Sequence, residues 1–507
     1  MTELVHPDRI AKLAALRAAG KDPYPARGVV ATPIEAVLAG LGTAAAPGPL
    51  AGTRATLAGR LLNLRDFGKL MFAPLVDRTG RLQIGFQRDQ LGDWWPERKW
   101  LDGGDQVGVT GELGHTQKGE PTLWAREVQL LAKAVAPPPE KWHGMTDKEL
   151  RYRRRYVDLW ASEGVRDVFV KRSKVLSVIR RFLEDQGYLE VETPTLHPIA
   201  GGAAARPFVT HHNALGMELY LRIAPELYLK RLIVGGLERV FEVSRNFRNE
   251  GLSPRHNPEF TMLELYEAQA DYRRMMELTE QMFERAARAV NGTTKVHFRG
   301  KDYDLVAPFR RVAYADLFRE VTGFPLHPLD DAKLAAKARE KGLDLPEVKG
   351  VLSASGAEAR RWKLADAVLE ACITDQLEGP VFLTDYPVAI SPLAKKQPGS
   401  DWLTERFEVY VAGMELGNAF TELNDPAEQA QRFEEQVASK DPEAPGEVDW
   451  DYVQALEFGM PPAGGLGVGI DRLVMVLTGQ DSIRDVLLFP AMKPQQQESE
   501  TPVTSAQ

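Results

Sequence analysis

Apolar positions recur along this chain in two rhythms. From Asp8 to Ala19 they fall on one face of a helix, and a Gly-, Pro- and Ala-rich stretch follows to about residue 50. Between residues 51 and 135 the rhythm shortens. Ala55–Leu62, Leu70–Val76, Leu82–Phe86, Gln106–Gly111 and Thr122–Leu131 read as strands punctuated by Gly, Asp and Asn. Five strands in so short a span predict a small β-barrel. The OB-fold, which commonly binds single-stranded nucleic acid, is one such barrel, and the pattern alone leaves others open. Ala136-Pro137-Pro138-Pro139 opens a stiff linker over 136–144.

Beyond it, residues 145–493 mix helical and strand patterns. Val165 to Gln186 predicts a helix, with Val168, Arg172, Val175, Ile179 and Leu183 on one face. Gly187 ends it, and Tyr188 to Thr193 reads as a strand stopped by Pro194. Residues 270–375 read as a mostly helical insertion, and the polar stretch 494–507 as a disordered tail.

Composition narrows the classes. The 507 residues suggest roughly three domains. A hydrophobic share of 44% with 26% charged residues excludes a chain disordered throughout, a collagen and a small disulfide scaffold. No run of eighteen apolar residues occurs, so no membrane span is expected. The first residues carry acids and no uninterrupted apolar core, unlike a signal peptide. The single cysteine, Cys372, fits a reducing cytoplasm. A net charge of −8 argues against binding nucleic acid by charge alone. Arg151-Tyr152-Arg153-Arg154-Arg155 is the local exception, either a basic patch or a solvated helix end.

Chemistry-bearing residues concentrate in four segments. Phe241 to Tyr266 reads strand, loop, strand. Alternation puts Phe260, Met262, Glu264 and Tyr266 on one face and Thr261, Leu263 and Leu265 on the other. A carboxylate between aromatic rings needs a cation, since an unpaired buried charge is expensive. That cation is either an internal Arg or Lys or something bound. Arg248 shares a face with Glu250, and Arg255 and His256 make the turn basic, which suits phosphate. In Thr404 to Leu423, a two-residue turn at Ala412-Gly413 sets Tyr410 opposite Glu415 with Glu408 on the same face. Two such carboxylates repel unless a cation lies between them, and Mg²⁺ shared with phosphates is the natural candidate; solvent exposure or Arg pairing is the other reading. Strict alternation turns Asn418 and Glu422 away, unless Gly417 marks a bulge that re-phases the strand. Gly464 to Arg472 is a glycine-rich turn feeding a helix, without nucleotide-loop spacing. In Leu219 to Lys230, Pro225 starts a helix whose first turn holds Glu226, which alone would suggest capping.

Together these segments resemble class II aminoacyl-tRNA synthetases. The helix, strand and Pro194 resemble motif 1, Phe247 through Phe260 motif 2, and Gly465 through Arg472 motif 3. The strings Gly201–Pro207, Ala224–Lys230, Arg245–Glu250, Arg255–Phe260 and Gly417–Phe420 are closer still to the bacterial-type lysyl-tRNA synthetase family. The resemblance implies an α+β fold, an antiparallel catalytic sheet flanked by helices, with an N-terminal OB-fold reading the anticodon. It also implies a homodimer, a cytoplasmic setting, and ATP, L-lysine and tRNA(Lys) as partners with Mg²⁺ as cofactor. Arg248 is implied at the α-phosphate and substrate carboxylate, Glu250, Arg255 and His256 around the ATP phosphates, and Phe260 and Arg472 on either face of adenine. Glu408 and Glu415 would hold Mg²⁺. Gly202 and Glu226 would receive the lysine α-amino group, Glu264, Tyr266 and Glu422 its ε-ammonium, and Asn418 its carboxylate. Phe72, Gln83 and Glu120 correspond to anticodon positions, while Asp66-Phe67 is less basic than an anticodon neighbour is expected to be. A related ligase or synthetase for acidic substrates would need a cationic pocket, and Glu264 and Glu422 argue against it.

Overall fold

The computed structural model describes residues 4–41, 47–139, 145–343, 357–373, 377–439 and 445–494, with the side chains of 357–360 excepted. The polar tail from 495 onward and part of the 136–144 linker lie outside the described residues. Two compact units emerge, residues 1–146 with 161–163, and the remainder.

In the first unit the amphipathic helix runs Pro7–Ala18, with Pro7 in its first turn and the His6 side chain accepting from Asp8 N. Five strands follow: Gly48–Leu61, Leu70–Val76, Arg81–Gln87, Gln106–His115 and Pro121–Ala132. The first pairs with the fourth, the fourth with the fifth, the fifth in parallel with the third, the third with the second, and the second returns to the first through Arg60↔Val76. That closed order is an OB-fold barrel, which leaves no long sheet edge open. Alternation does the sorting. Met71, Ala73 and Leu75, and Leu82, Ile84 and Phe86, point into the core, while Phe72 and Gln83 stand on the outer face.

The second unit is built on an eight-stranded sheet. Its order is Arg310–Ala313, Val381–Thr384, Arg406–Val411, Met414–Thr421, Ala463–Gly469, Glu259–Ala268, Arg239–Phe247 and Leu189–Glu190. The two outermost pairings are parallel and the rest antiparallel. Helices Val165–Asp185, Tyr272–Asn291 and Ile470–Thr478 contribute Ile179, Met275 and Val474 to one core with Leu263 and Leu265 of the sheet. Asp471 ties three of these elements together: it accepts from Thr261 N at 2.8 Å and pairs with Arg172 of the long helix at 2.5 Å.

Two readings of the sequence change here. Helix Tyr272–Asn291 packs in the main core and Arg310–Ala313 belongs to the sheet, so 270–375 is not an insertion from end to end. Helices Tyr314–Thr322, Asp331–Glu340 and Ala357–Cys372 form a second core with Val381 and Leu383 of the sheet. The arginine cluster is neither a basic patch nor a solvated end. Arg155 is fully buried, pairs with Asp158 at 2.6 Å and donates to the Arg484 carbonyl at 2.8 Å; Arg151 also binds Asp158, and Arg153 binds Glu149.

Candidate functional site

The face of the large sheet opposite the long helices opens onto a cavity of about 1750 Å³. The alternation of Glu259–Ala268 sends Phe260, Met262, Glu264 and Tyr266 into it while Leu263 and Leu265 hold the core. The neighbouring hairpin turns at Ala412 and Gly413, whose φ values of 53° and 65° give the left-handed pair that a two-residue hairpin needs. Tyr410 pairs with Glu415 as expected, but Val409 pairs with Gly417, so the register shifts by one residue around Leu416. This bulge puts Asn418 opposite Glu408 and carries Phe420 and Glu422 onto the cavity side. Gly202, Glu226, Arg248, Glu250, Arg255, His256, Glu408, Glu415, Asn418 and Arg472 all line the same cavity.

Its cationic end lies around the turn after Arg239–Phe247. The Arg248 guanidinium sits 5.1 Å from the centre of the Phe260 ring, and its buried Nε has no protein partner. Arg472 donates to the Glu415 carboxylate at 3.0 Å and lies 3.1 Å from His256 Nε2. Burial, and then the charge of Arg472, push His256 below the ordinary imidazole range, so it is neutral at pH 7. Ser253 Oγ holds its Nδ1 at 2.8 Å.

The acidic side is denser than the sequence suggested. Glu408 accepts from Arg406 at 2.7 Å and from the Tyr410 hydroxyl at 2.6 Å. Burial, and then Glu415, push its carboxyl up. Asp366 and Glu370, on helix Ala357–Cys372, face the same region. Burial pushes both up, Glu370 to about 7 with the charges of Asp366, Glu408 and Glu415 adding to it. Among the described residues no three His, Cys, Asp or Glu side chains converge as a ready-made metal cage. Glu408 and Glu415 therefore offer hard oxygen donors that need a further ligand to complete a cation's shell.

At the other end three carboxylates meet. Glu226 does not cap its helix, as its position alone suggested. It accepts from Lys230 Nζ at 2.6 Å, one turn on. Lys230 also pairs with Glu422. Glu422 is not among the lining side chains; it is fully buried on the cavity face of the sheet, over Gly465, where an added Cβ would fall 2.0 Å from its Oε1 and 2.5 Å from the Tyr266 ring. Among the described residues no basic side chain bonds to Glu264, which accepts only from the Tyr266 hydroxyl, at 3.2 Å. Burial, and then the charge of Glu226, push its carboxyl up to about 8. Gly202 closes this corner: a Cβ there would meet the Cβ atoms of Ala224 and Glu226 at 3.3 Å.

On the barrel, Phe72 lies 5.9 Å from Trp124 and 6.4 Å from the exposed Phe67, both in edge contact. Gln83 is bound by Arg65 at 2.8 Å and donates to Thr122, whose hydroxyl donates to the Glu120 carbonyl. Asp66, which made this face less basic, is paired with Arg98. Several members of both sites were missed in the sequence: Lys230, Asp366, Glu370, Arg406, Phe420 and Trp124. Phe420 and Arg406 follow from the strand phase that fixes Glu408. Lys230 follows Glu226 by one helical turn, a spacing that reads as an ordinary surface pair; the others come from distant segments, and their spacing carries no signal of the cavity.

Comparison with known proteins adds independent findings. A model described as tRNA synthetases class II (D, K and N) matches residues 147–493, and one described as OB-fold nucleic acid binding domain matches residues 55–131. A lysine–tRNA ligase of Carboxydothermus hydrogenoformans is 51% identical over 443 residues, 86% of this chain and 88% of that protein. The lysine–tRNA ligases of Syntrophomonas wolfei and Moorella thermoacetica are 50% and 49% identical, covering 89% and 96% of this chain and 90% and 98% of their own.

Proposed function

Because the chain belongs to the class II tRNA synthetases, and within them to the lysine–tRNA ligases, we propose that the residues brought together in its cavity divide the work of that reaction between three regions. The reaction has two steps. The lysine carboxylate attacks the α-phosphorus of ATP, an O–P bond forms and pyrophosphate leaves. A terminal hydroxyl of tRNA then attacks the lysyl carbonyl and AMP leaves. The first nucleophile is already an anion, so the protein needs no base for it; positioning and charge neutralisation do the work.

Arg248 is the residue for the α-phosphate and the substrate carboxylate; a buried guanidinium nitrogen without a protein partner supports this. Arg255 and His256 are placed for the outer phosphates, with Glu250 in the same turn. Phe260 offers a ring for adenine and Arg472 closes over it. Glu408 and Glu415 fit Mg²⁺, because two hard-oxygen donors are held there with the carboxyls of Asp366 and Glu370 behind them, which a bound cation would draw toward their ionised forms. When bound, the ion neutralises phosphate charge. Gly202 and Glu226 receive the lysine α-ammonium, Asn418 its carboxylate, and Glu264 with Tyr266 its ε-ammonium. Glu422 adds its charge from over Gly465, beside the Tyr266 ring. Phe72, Gln83 and Glu120 are the anticodon contacts, with Trp124 and Phe67 extending the aromatic face.

The homodimer rests on exposed apolar residues after the first motif: Leu189, Leu196, Val209 and Leu215 are 43 to 68% exposed. A cytoplasmic setting rests on the single cysteine, and no helix among the described residues is long and apolar enough to cross a membrane.

The observation that carries the lysine pocket is Glu264, a buried carboxylate with no basic side chain bonded to it. Glu264→Gln removes the charge an ammonium would meet, a loss of about 3–5 kcal/mol for a buried pair. Lysine-dependent ATP–pyrophosphate exchange is expected to fall roughly a hundredfold or more on that scale. Near-normal exchange would refute the assignment. Phe72→Ala removes a stacking ring worth about 1–3 kcal/mol per base, so charging of tRNA should fall while exchange without tRNA persists; a parallel loss of both would refute the anticodon role. For the metal, Glu415→Gln and Glu408→Gln should each raise the Mg²⁺ concentration needed for exchange. Their double variant should show non-additive loss, since both serve one cluster. Unchanged Mg²⁺ dependence in the single variants would show that these acids do not hold the ion.

A further inference from the structure

Lys230 is absent from the cavity wall and yet governs its charge. Its side chain is fully buried. The ammonium donates to Glu226 at 2.6 Å, pairs with Glu422, and lies 5.2 Å from the centre of the Phe420 ring. Other nearby cations are already committed. Arg406 binds Glu408 at 2.7 Å, and Arg222 binds Glu242 at 2.6 Å. Arg248 stands toward the phosphate end. Among the described residues Glu226, Glu264 and Glu422 therefore share one resident cation, so that once all three are ionised, as in the lysine-bound state, two negative charges remain for the substrate to neutralise. Lysine brings two ammonium groups, and its carboxylate is met by Arg248.

We propose that Lys230 is a positioning and specificity residue of the lysine pocket: a built-in cation that orients Glu226 and Glu422 and sets the pocket at the two net negative charges that a diammonium substrate neutralises. The inference rests on the lysine pocket proposed above. Lys230 never touches substrate and acts only through its two carboxylates. Burial alone would strip its proton, but Glu226 and Glu422 outweigh that and hold the ammonium charged. The place of Glu422 is fixed by Lys230, and the missing side chain of Gly465 leaves the space that its carboxylate occupies beside the Tyr266 ring.

Charge counting makes a prediction that packing does not. Lys230→Met leaves three carboxylates for two ammonium groups. Glu422→Gln leaves one net negative charge. Each single variant should raise the lysine KM in ATP–pyrophosphate exchange by roughly tenfold or more, as expected when a buried charge loses its partner, with the ATP KM little changed. The double variant Lys230→Met/Glu422→Gln has two net negative charges again. It should bind lysine several-fold better than Glu422→Gln alone. A double variant as impaired as, or worse than, Glu422→Gln would overturn the proposal; so would suppression that appears equally in the ATP KM and in thermal stability, which is what a merely structural ion pair gives, whereas a pocket charge balance restores the lysine KM alone. Should Lys230→Met fail to fold, the comparison of Glu422→Gln with the double variant decides alone, since the double leaves neither member of that pair buried without its partner. Glu264→Gln run alongside separates the two claims. No effect of Glu264→Gln on lysine overturns the pocket itself; a strong effect without suppression in the double variant overturns only the role of Lys230.

Discussion

Three carboxylates, Glu226, Glu264 and Glu422, share a site from which water is largely excluded, and removing an ionised carboxylate from water is among the most expensive steps a fold can take. Each meets that cost differently. Glu226 and Glu422 share Lys230. Glu264 has only the Tyr266 hydroxyl, and burial pushes its carboxyl up to about 8. A site of this kind is stabilised by an incoming ammonium more than by any other small group. The protein carries the cost in the free state and the substrate relieves it, which is how binding energy becomes selectivity. An acidic amino acid would add a fourth carboxylate there, and a neutral one would leave Glu264 without a cation.

The rest of the second unit fixes these groups in place. Alternation along Glu259–Ala268 gives one face to the core and the other to the cavity. Two strands away, the shifted register around Leu416 carries Asn418, Phe420 and Glu422 to the same side as Glu408. Gly465, on the strand between, leaves the space in which the Glu422 carboxylate sits. Behind the sheet, Asp471 locks the long helix, a central strand and the last helix together. Moving any of these by one residue would turn a carboxylate into the core, where it would have no partner.

Much of this could be read from the chain because it depends on short-range rules. Period-two alternation assigned Glu264 and Tyr266 to one face. The Ala412-Gly413 turn set Tyr410 against Glu415, and Gly417 flagged a possible re-phasing of the strand, which the register then displays. Barrel strands 70–76 and 81–87 followed from alternation and turn residues in the same way. What escaped depends on contacts between distant segments. Lys230 lies one helical turn from Glu226, a spacing that reads as an ordinary surface pair until Glu422, nearly two hundred residues on, is found against it. Arg155 reads as part of a basic patch or a solvated helix end because, although Asp158 is only one turn on, nothing local reveals that the Arg484 carbonyl encloses it. The helix Tyr272–Asn291 looked like part of an insertion because an amphipathic helix packed on a sheet and one packed on other helices have the same periodicity.

The central claim is that Glu264 waits for an ammonium. A carboxyl raised to about 8 by burial is mostly protonated at neutral pH in the free protein. An ammonium beside it favours the ionised form, so the proton must leave as lysine binds. The direct test is isothermal titration of the full-length protein with lysine in two buffers of different ionisation enthalpy. Near pH 7, binding should release close to one proton per site from this carboxyl; near pH 9, above its titration and below that of the lysine side chain at about 10.4, this release should vanish and leave only the uptake by the lysine α-amino group, which is the same in the wild type and in Glu264→Gln. Glu264→Gln should abolish the release at pH 7. Lysine binding at pH 7 with no proton released, or with release unchanged in Glu264→Gln, would contradict the account.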